Sequence, residues 1–261
     1  MASTQSLRSV AVGAAKSAAK IILGTLHHPR DVHHKGKTDL VTETDRRSED
    51  AIISHIQATF PDHSILAEES GTTYRDSDYL WVIDPLDGTT NFVHGYPSFG
   101  VSIAVLQNGE PIVGVVVELP VNRVYTAVKN AGAFCDNEPI HVSGVSELEQ
   151  SLLVTGFGYD HNENWHRNME LFKSFTDITQ GVRRLGSAAV DLCHVARGVV
   201  DGFWEFDLHP WDTAAGILLV REAGGIVTKM IGEPYSIYDD SILVSNGFLH
   251  EDMMKQVRLD G

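Results

Sequence analysis

Residues 79–99, YLWVIDPLDGTTNFVHGYPSF, constrain the fold more than any other stretch of the chain. Residues 80–83 form a short apolar, β-rich run that predicts a buried strand, and it empties into two carboxylates, Asp84 and Asp87, separated by Pro85 and Leu86. Pro85 fixes its own φ and drives Asp84 toward an extended conformation, so both acids and the Leu86 carbonyl are presented in one direction from the strand's carboxyl end. Hard divalent cations such as Mg²⁺ take oxygen ligands of this kind and keep positions for water and substrate phosphate. Gly88 permits a tight turn, and Thr89, Thr90 and Asn91 read as a helix start whose free N–H groups suit an anion. An ordinary surface turn is the competing reading, because D-x-x-D-G is assembled from common turn residues.

The totals narrow the alternatives. A chain of 261 residues, 43% apolar and 21% charged, has the composition of a globular protein with a sizeable core. Its formal charge of −15 argues against binding a phosphate backbone, which needs a basic face, and suits a protein that gathers carboxylates around cations. Nucleic acid is therefore not expected as a partner. The two cysteines, Cys135 and Cys193, lie far apart without C-x-x-C spacing, which indicates neither zinc nor a disulfide framework and fits a reducing compartment. No apolar run approaches the roughly 18 residues that span a bilayer, so no membrane partner is expected.

Val10, Ala14, Ala18, Ile21 and Ile22 recur at helical spacing, which predicts an amphipathic first helix over residues 7–24. The same stretch, rich in Ala, Ser, Lys and Arg and without an acid before Asp31, has an organelle transit peptide as its competing reading. His27, His28, His33 and His34 read as a solvated loop, since Mg²⁺ prefers oxygen and no cysteine accompanies them. A helix follows from Thr44, with Ile52, Ile53, Ile56 and Phe60 as its apolar stripe and Asp45 as a capping residue. Residues 64–67 predict a strand ending in Glu68 and Glu69, which would point to opposite faces if the strand continued.

Asn108-Gly109 predicts a hairpin between two apolar runs, and residues 123–129 and 140–143 predict further strands of an antiparallel meander. After about residue 143 strands and helices alternate: strand 152–157, helices 165–175 and 188–196, strand 203–206, helix 211–223, strands 226–230 and 242–245, and a closing helix at 251–258. The expected architecture is one domain with two lobes, about 1–143 and 144–261, in the α/β class with an α+β first lobe. Strand ends suit a cleft between the lobes. Gly156-Phe157-Gly158 lacks the third glycine of a nucleotide loop and reads as a turn.

Four spaced acidic motifs, LVTETD (40–45), LAEES (66–70), DPLDGTTNF (84–92) and HPWDTAAG (209–216), together with VRRLGSAAVDL (182–192) and REAGG (221–225), resemble the inositol monophosphatase family of Mg²⁺-dependent, lithium-sensitive phosphatases. The resemblance covers nearly the whole chain and is closest to plant plastid and bacterial members. It implies a layered αβαβα sandwich of the inositol monophosphatase and fructose-1,6-bisphosphatase type. Glu68, Asp84 and the Leu86 carbonyl would bind one Mg²⁺, and Asp84, Asp87 and Asp212 another. Glu68 and Thr89 would activate a metal-held water, with Asp45 behind them or as a carboxylate of a third metal. Substrate contacts would come from Asp87, Gly88, Thr89, Gly186, Ser187, Ala188, Glu205 and Asp212, with Glu205 accepting from substrate hydroxyls. Lys35 would approach the site from a loop, and Arg183 and Arg184 would shape a subunit contact or the substrate rim.

The expected reaction is hydrolysis of inositol 1-phosphate by a cytoplasmic or plastid-stromal homodimer. Histidinol phosphate, a sugar bisphosphate or a nucleotide phosphate is the alternative substrate, and a non-catalytic regulatory subunit the alternative role. Asp207 departs from the family, which carries Gly or a basic residue there. Paired with Glu205, it is expected either to favour a hydroxyl-rich monophosphate over a bisphosphate or to turn outward as a surface acid.

Overall fold

The computed structural model describes residues 2–26, 32–34 and 40–259. In chain order its first half comprises α1 (Thr4–Thr25), β1 (Val32–His34), β2 (Leu40–Thr42), α2 (Glu43–Thr59), β3 (Ser64–Ala67), β4 (Gly71–Thr73), β5 (Tyr79–Asp87), α3 (Thr89–His94), β6 (Phe99–Gln107), β7 (Glu110–Leu119), β8 (Arg123–Val128), β9 (Ala133–Cys135) and β10 (Glu138–Pro139). The second half comprises β11 (Leu152–Thr155), α4 (Glu163–Ile178), β12 (Gly181–Arg183), α5 (Ala188–Ala196), β13 (Gly202–Phe206), α6 (Pro210–Glu222), β14 (Ile226–Thr228), β15 (Ser241–Ser245) and α7 (His250–Leu259).

Asn108 and Gly109 both take positive φ, 52° and 84°, and close the hairpin between β6 and β7. That hairpin is the centre of an eight-stranded sheet in the order β10-β9-β8-β7-β6-β5-β3-β4, antiparallel except where β3 runs parallel to β5. Its central strands β5, β6 and β7 are buried on both faces. Val101, Ile103 and Val105 of β6 pack with α1 and α2, while Ala104 and Leu106 of the same strand pack with α5 and α6. This two-sided burial explains the unbroken apolar runs, and each Val or Ile so buried stabilises the fold by about 1.5–3 kcal/mol.

A second sheet, ordered β12-β11-β13-β15-β14, covers the other side of α5 and α6. Its outer face carries α4 and α7, with Leu171, Phe175, Trp204, Leu243 and Met253 in a third core. The layers thus run helix pair, sheet, helix pair, sheet, helix pair, the sandwich that the resemblance implied.

Three expected strands differ, and the one expected at 226–230 stops at Thr228. Residues 140–143 are irregular, because after β10 the chain leaves the sheet edge: the Ile140 N–H bonds to Ala133 O, but the Val142 N–H bonds to Ala223 O behind α6. The strand expected at 152–157 stops at Thr155, and 156–162 is loop. No helix among the described residues is long and apolar enough to cross a membrane.

Candidate active site

β5 does not end before its acids but carries both of them. Asp84 pairs with Ser102 and Asp87 with Gly100, so three steps on β5 match two on β6, a one-residue bulge. In a regular strand residues 84 and 87 would point to opposite faces; the bulge re-aims one, and both line a single cleft of about 700 Å³. Glu68, Asp212 and Glu205 line the same cleft, from the end of β3, the start of α6 and the end of β13. Glu68 reaches it from a turn, because β3 ends at Ala67; the expected strand alternation of Glu68 and Glu69 does not apply.

The acids perturb one another. Burial pushes Asp84 well above the usual carboxylate range, and Glu68, Asp87 and Asp212 add to the shift. Burial raises Asp87 to about 6, against hydrogen bonds from Ser187 Oγ and the Ala189 N–H, both 2.7 Å to Asp87 Oδ2. Asp212 is raised by burial and then Asp87, opposed by the His209 N–H at 2.7 Å. Glu205 is raised by burial, Asp212 and Asp87, with Arg184 opposing.

Such a set of crowded acids fits hard cations, since every expected donor is an oxygen and each added positive charge relieves the repulsion. No three His, Cys, Asp or Glu side chains among the described residues already close on one point. The fit therefore rests on the shared cleft together with the Leu86 carbonyl.

Thr89 lines the cleft beside the acids. Its hydroxyl has one proton and two flanking acceptors, Asp45 Oδ1 at 2.9 Å and Leu86 O at 3.0 Å. Donation to either leaves the oxygen lone pairs available in the cleft that Thr89 lines. It does not cap α3: Gly88, at φ 87°, occupies the cap position. Asp45 is buried at the third position of α2, where its Oδ2 also accepts the Thr42 N–H at 2.9 Å in a capping box. Capping and holding Thr89 are thus done by the two oxygens of one side chain. Burial raises Asp45 despite the Thr42 and Thr89 donors, which strengthens it as a proton acceptor.

The substrate-side residues are partly committed to one another. Ser187 and the α5 N-terminus hold Asp87, and Gly186 is fixed through its carbonyl by Asn91, whose Nδ2 also donates to Leu185 O and Ser98 O, each at 2.6 Å. Asn91 therefore serves as a tie between α3 and the loop before α5, and not as an anion ligand. Glu205 is buried against Gly156: a Cβ there would stand 2.2 Å from Glu205 Oε1, so only glycine leaves room for this carboxyl. Gly88, Ala188 and Arg184 line the cleft, whereas Arg183 is exposed at the end of β12. Asp207 is exposed and lines the rim, yet its two oxygens accept from Asn162 Nδ2 at 2.8 Å and Asn164 Nδ2 at 2.7 Å. It is thus tied to the residues that open α4 and does not stand apart from them in solvent.

Two residues escaped the sequence reading. Glu49, buried on α2 one turn after Asp45, accepts the Glu69 and Ser70 N–H groups on separate oxygens, each at 2.8 Å, and so fixes the turn that carries Glu68. The signal was the i, i+4 spacing of Asp45 and Glu49 on one helix face. Asp191 on α5 is buried with neither oxygen hydrogen-bonded; burial, then Glu205 and Asp87, push it well above the carboxylate range, with Arg184 opposing. Nothing in its local sequence separates it from a solvent-facing helix acid. His27, His28, Lys35 and Lys37 lie outside the described residues, as do the side chains of His33 and His34.

Residues 3–259 match the model of the inositol monophosphatase family. The chain is similar to the chloroplastic phosphatase IMPL1 of Arabidopsis thaliana, 51% identical over 251 residues that cover 94% of this chain and 68% of that protein. It is similar to the Nus factor SuhB of Pseudomonas aeruginosa, 40% identical over 249 residues that cover 93% and 92%. Among solved structures, the inositol monophosphatase from Anabaena superposes with a TM-score of 0.89 at 44% identity, over 98% of this chain and 96% of that one.

Proposed function

The chain belongs to the inositol monophosphatase family, and from that premise and its acidic cleft we propose that it hydrolyses the phosphate monoester of a small polyol, with inositol 1-phosphate as the leading substrate and Mg²⁺ as the cation. The observation that carries this reading is the Asp45–Thr89–Leu86 arrangement beside Glu68, Asp84, Asp87 and Asp212 in one cleft.

Glu68, Asp84 and the Leu86 carbonyl would hold one ion and Asp84, Asp87 and Asp212 a second. Bound there, divalent cations lower the pKa of water and neutralise the phosphoryl and leaving oxygens. The chain supplies the rest. Asp45 draws the Thr89 proton, leaving Thr89 Oγ1 to accept a proton from the attacking water together with Glu68. Asp87, held rigidly by Ser187 and Ala189, keeps its geometry without reorganising during the reaction. The P–O bond to water forms as the P–O bond to the ester oxygen breaks; that oxygen takes a proton from a solvent water and departs as the polyol hydroxyl, and the proton taken from the attacking water returns to solvent. Glu205, which lines the same cleft from the end of β13, would accept from hydroxyls of the non-reacting end.

The acidic lining favours monophosphates. Two like charges about 5 Å apart at an effective dielectric near 20 repel by about 3 kcal/mol before screening, which disfavours a second phosphate near Glu205. The similarity to a Nus factor supports a second reading, a binding subunit; dedicated hydrogen bonds to Asp45 and Asp87 favour catalysis. A phosphate-release assay with inositol 1-phosphate, histidinol phosphate and fructose 1,6-bisphosphate, with Mg²⁺ and with chelator, decides. Inositol 1-phosphate should show the highest kcat/KM and only with Mg²⁺; preference for the bisphosphate would overturn the substrate, and no turnover of any ester would overturn the catalytic reading.

A further inference from the structure

Asp207, just beyond β13, takes a left-handed conformation with φ 58°. Asp tolerates that region better than most residues, but only glycine adopts it at no steric cost. Its side chain offsets this by joining the end of β13 to the segment that forms the far wall of the cleft. Oδ2 accepts from Asn162 and Oδ1 from Asn164, so both oxygens are engaged. The opposite end of that segment is tied from inside. Asn168, buried on α4, donates to Gly156 O at 2.6 Å and accepts from Trp204 Nε1 at 2.6 Å. Between the two ties Phe157, Tyr159 and Asp160 line the cleft. The Phe157 ring lies 6.0 Å from that of Phe172 and 6.1 Å from that of Trp165, on α4.

We propose that Asp207 is a positioning residue for substrate selectivity: with Asn162 and Asn164 it clamps segment 156–162 against the end of β13, setting the space beside Glu205 that the hydroxyl-bearing end of the substrate fills. The inference rests on the polyol-phosphate reading for its substrate and on the hydrogen bonds for its mechanism. Asp207 does not bond the substrate. Released from it, the wall would have to be ordered during binding, and that cost falls on KM. The acids of β5 are held by separate bonds, Asp87 by Ser187 and Ala189, so kcat is spared.

Asp207→Gly removes both acceptors while relieving the backbone, which separates the clamp from strain. Amide hydrogen exchange in 157–162 should quicken. The KM for inositol 1-phosphate should rise about tenfold with kcat changed less than about twofold, and selectivity for inositol 1-phosphate over methyl phosphate, which lacks the polyol, should fall by a similar factor. Asp207→Asn, which keeps one acceptor oxygen, should fall between the two. Asn164→Ala should raise KM in the wild-type background and add nothing to Asp207→Gly. Unchanged exchange in Asp207→Gly would overturn the clamp whatever the substrate. Equal losses on both esters, or an additive Asn164→Ala effect, would overturn its role in selectivity. Faster exchange in an enzyme that does not hydrolyse inositol 1-phosphate would support the clamp and reject the polyol substrate.

Discussion

At the floor of the cleft Asp87, and behind it Asp45, accept from backbone N–H groups and hydroxyls of neighbouring elements, whereas on the far wall Asp207 meets two asparagine amides in contact with solvent. The floor is built where the eight-stranded sheet, α2 and α5 converge, so moving one of its acids would disturb buried packing. The wall is a loop between β11 and α4, and its clamp can change without touching a core. Chemistry placed on the floor is insulated from variation; selectivity placed on the wall is open to it. Asp207 fits this contrast, since it bonds only to Asn162 and Asn164 of the wall and takes no part in the hydrogen bonds of the floor.

The sharpest way to break this comparison is Asp87→Asn. Asparagine retains an acceptor for Ser187 and Ala189 but removes a charge from the proposed second cation, so kcat should fall by about 10³-fold or more with the fold preserved. Phosphate release alongside circular dichroism tests it, and near-wild-type turnover in a folded variant would remove Asp87 from the machinery.

Thr89 gives the next largest effect. Thr89→Ala should lose about 10²-fold in kcat and Thr89→Ser should keep most activity, because only the hydroxyl links Asp45 to a reacting water. Equal loss in both variants would assign the β-methyl packing, not the hydroxyl, to Thr89.

Glu49 tests whether the floor extends behind its ligands. Glu49→Gln replaces one of two acceptors by a donor facing an N–H, freeing the turn after Glu68. The Mg²⁺ concentration for half-maximal activity should rise about tenfold with kcat at saturation little changed. Calorimetric Mg²⁺ binding should weaken in parallel; unchanged binding would confine Glu49 to a structural role.

The smallest effect is on stability against pH. Asp87 titrates near 6 in the folded chain against an ordinary value of 3.8, so the folded state binds more protons between these values. The stabilisation is fully present below about pH 4 and is lost as pH rises through about 6. Asp84, Asp212 and Glu205 shift in the same direction. Chelated protein should therefore lose Tm as pH rises from 4 to 7, Asp87→Asn should lose less, and Mg²⁺ should restore the loss by favouring the ionised acids. Coincident slopes for wild type and Asp87→Asn would show that this acid does not titrate there.

What the amino-acid order determined by itself was local. The limits of α5 and β3 and the Asn108-Gly109 turn follow from periodicity and turn chemistry acting over a few residues, and the structure has them where those rules put them. The acids at 68, 84, 87 and 212 were legible as oxygen donors at element ends. Tertiary structure decided which way they point and what holds them. The β5 bulge exists because β6 imposes its register, so Pro85 alone did not reveal that the strand runs through both acids. Glu49 became a support for Glu68 through contacts 20 and 21 residues away in sequence, and Asp207 became a clamp through contacts 45 and 43 residues away. A carboxylate's sequence neighbours set its cap or its turn, but its partners across the cleft are brought to it only when sheets and helices pack, and those partners separate Asp207, bonded to two asparagines at the rim, from the acids gathered around Asp87.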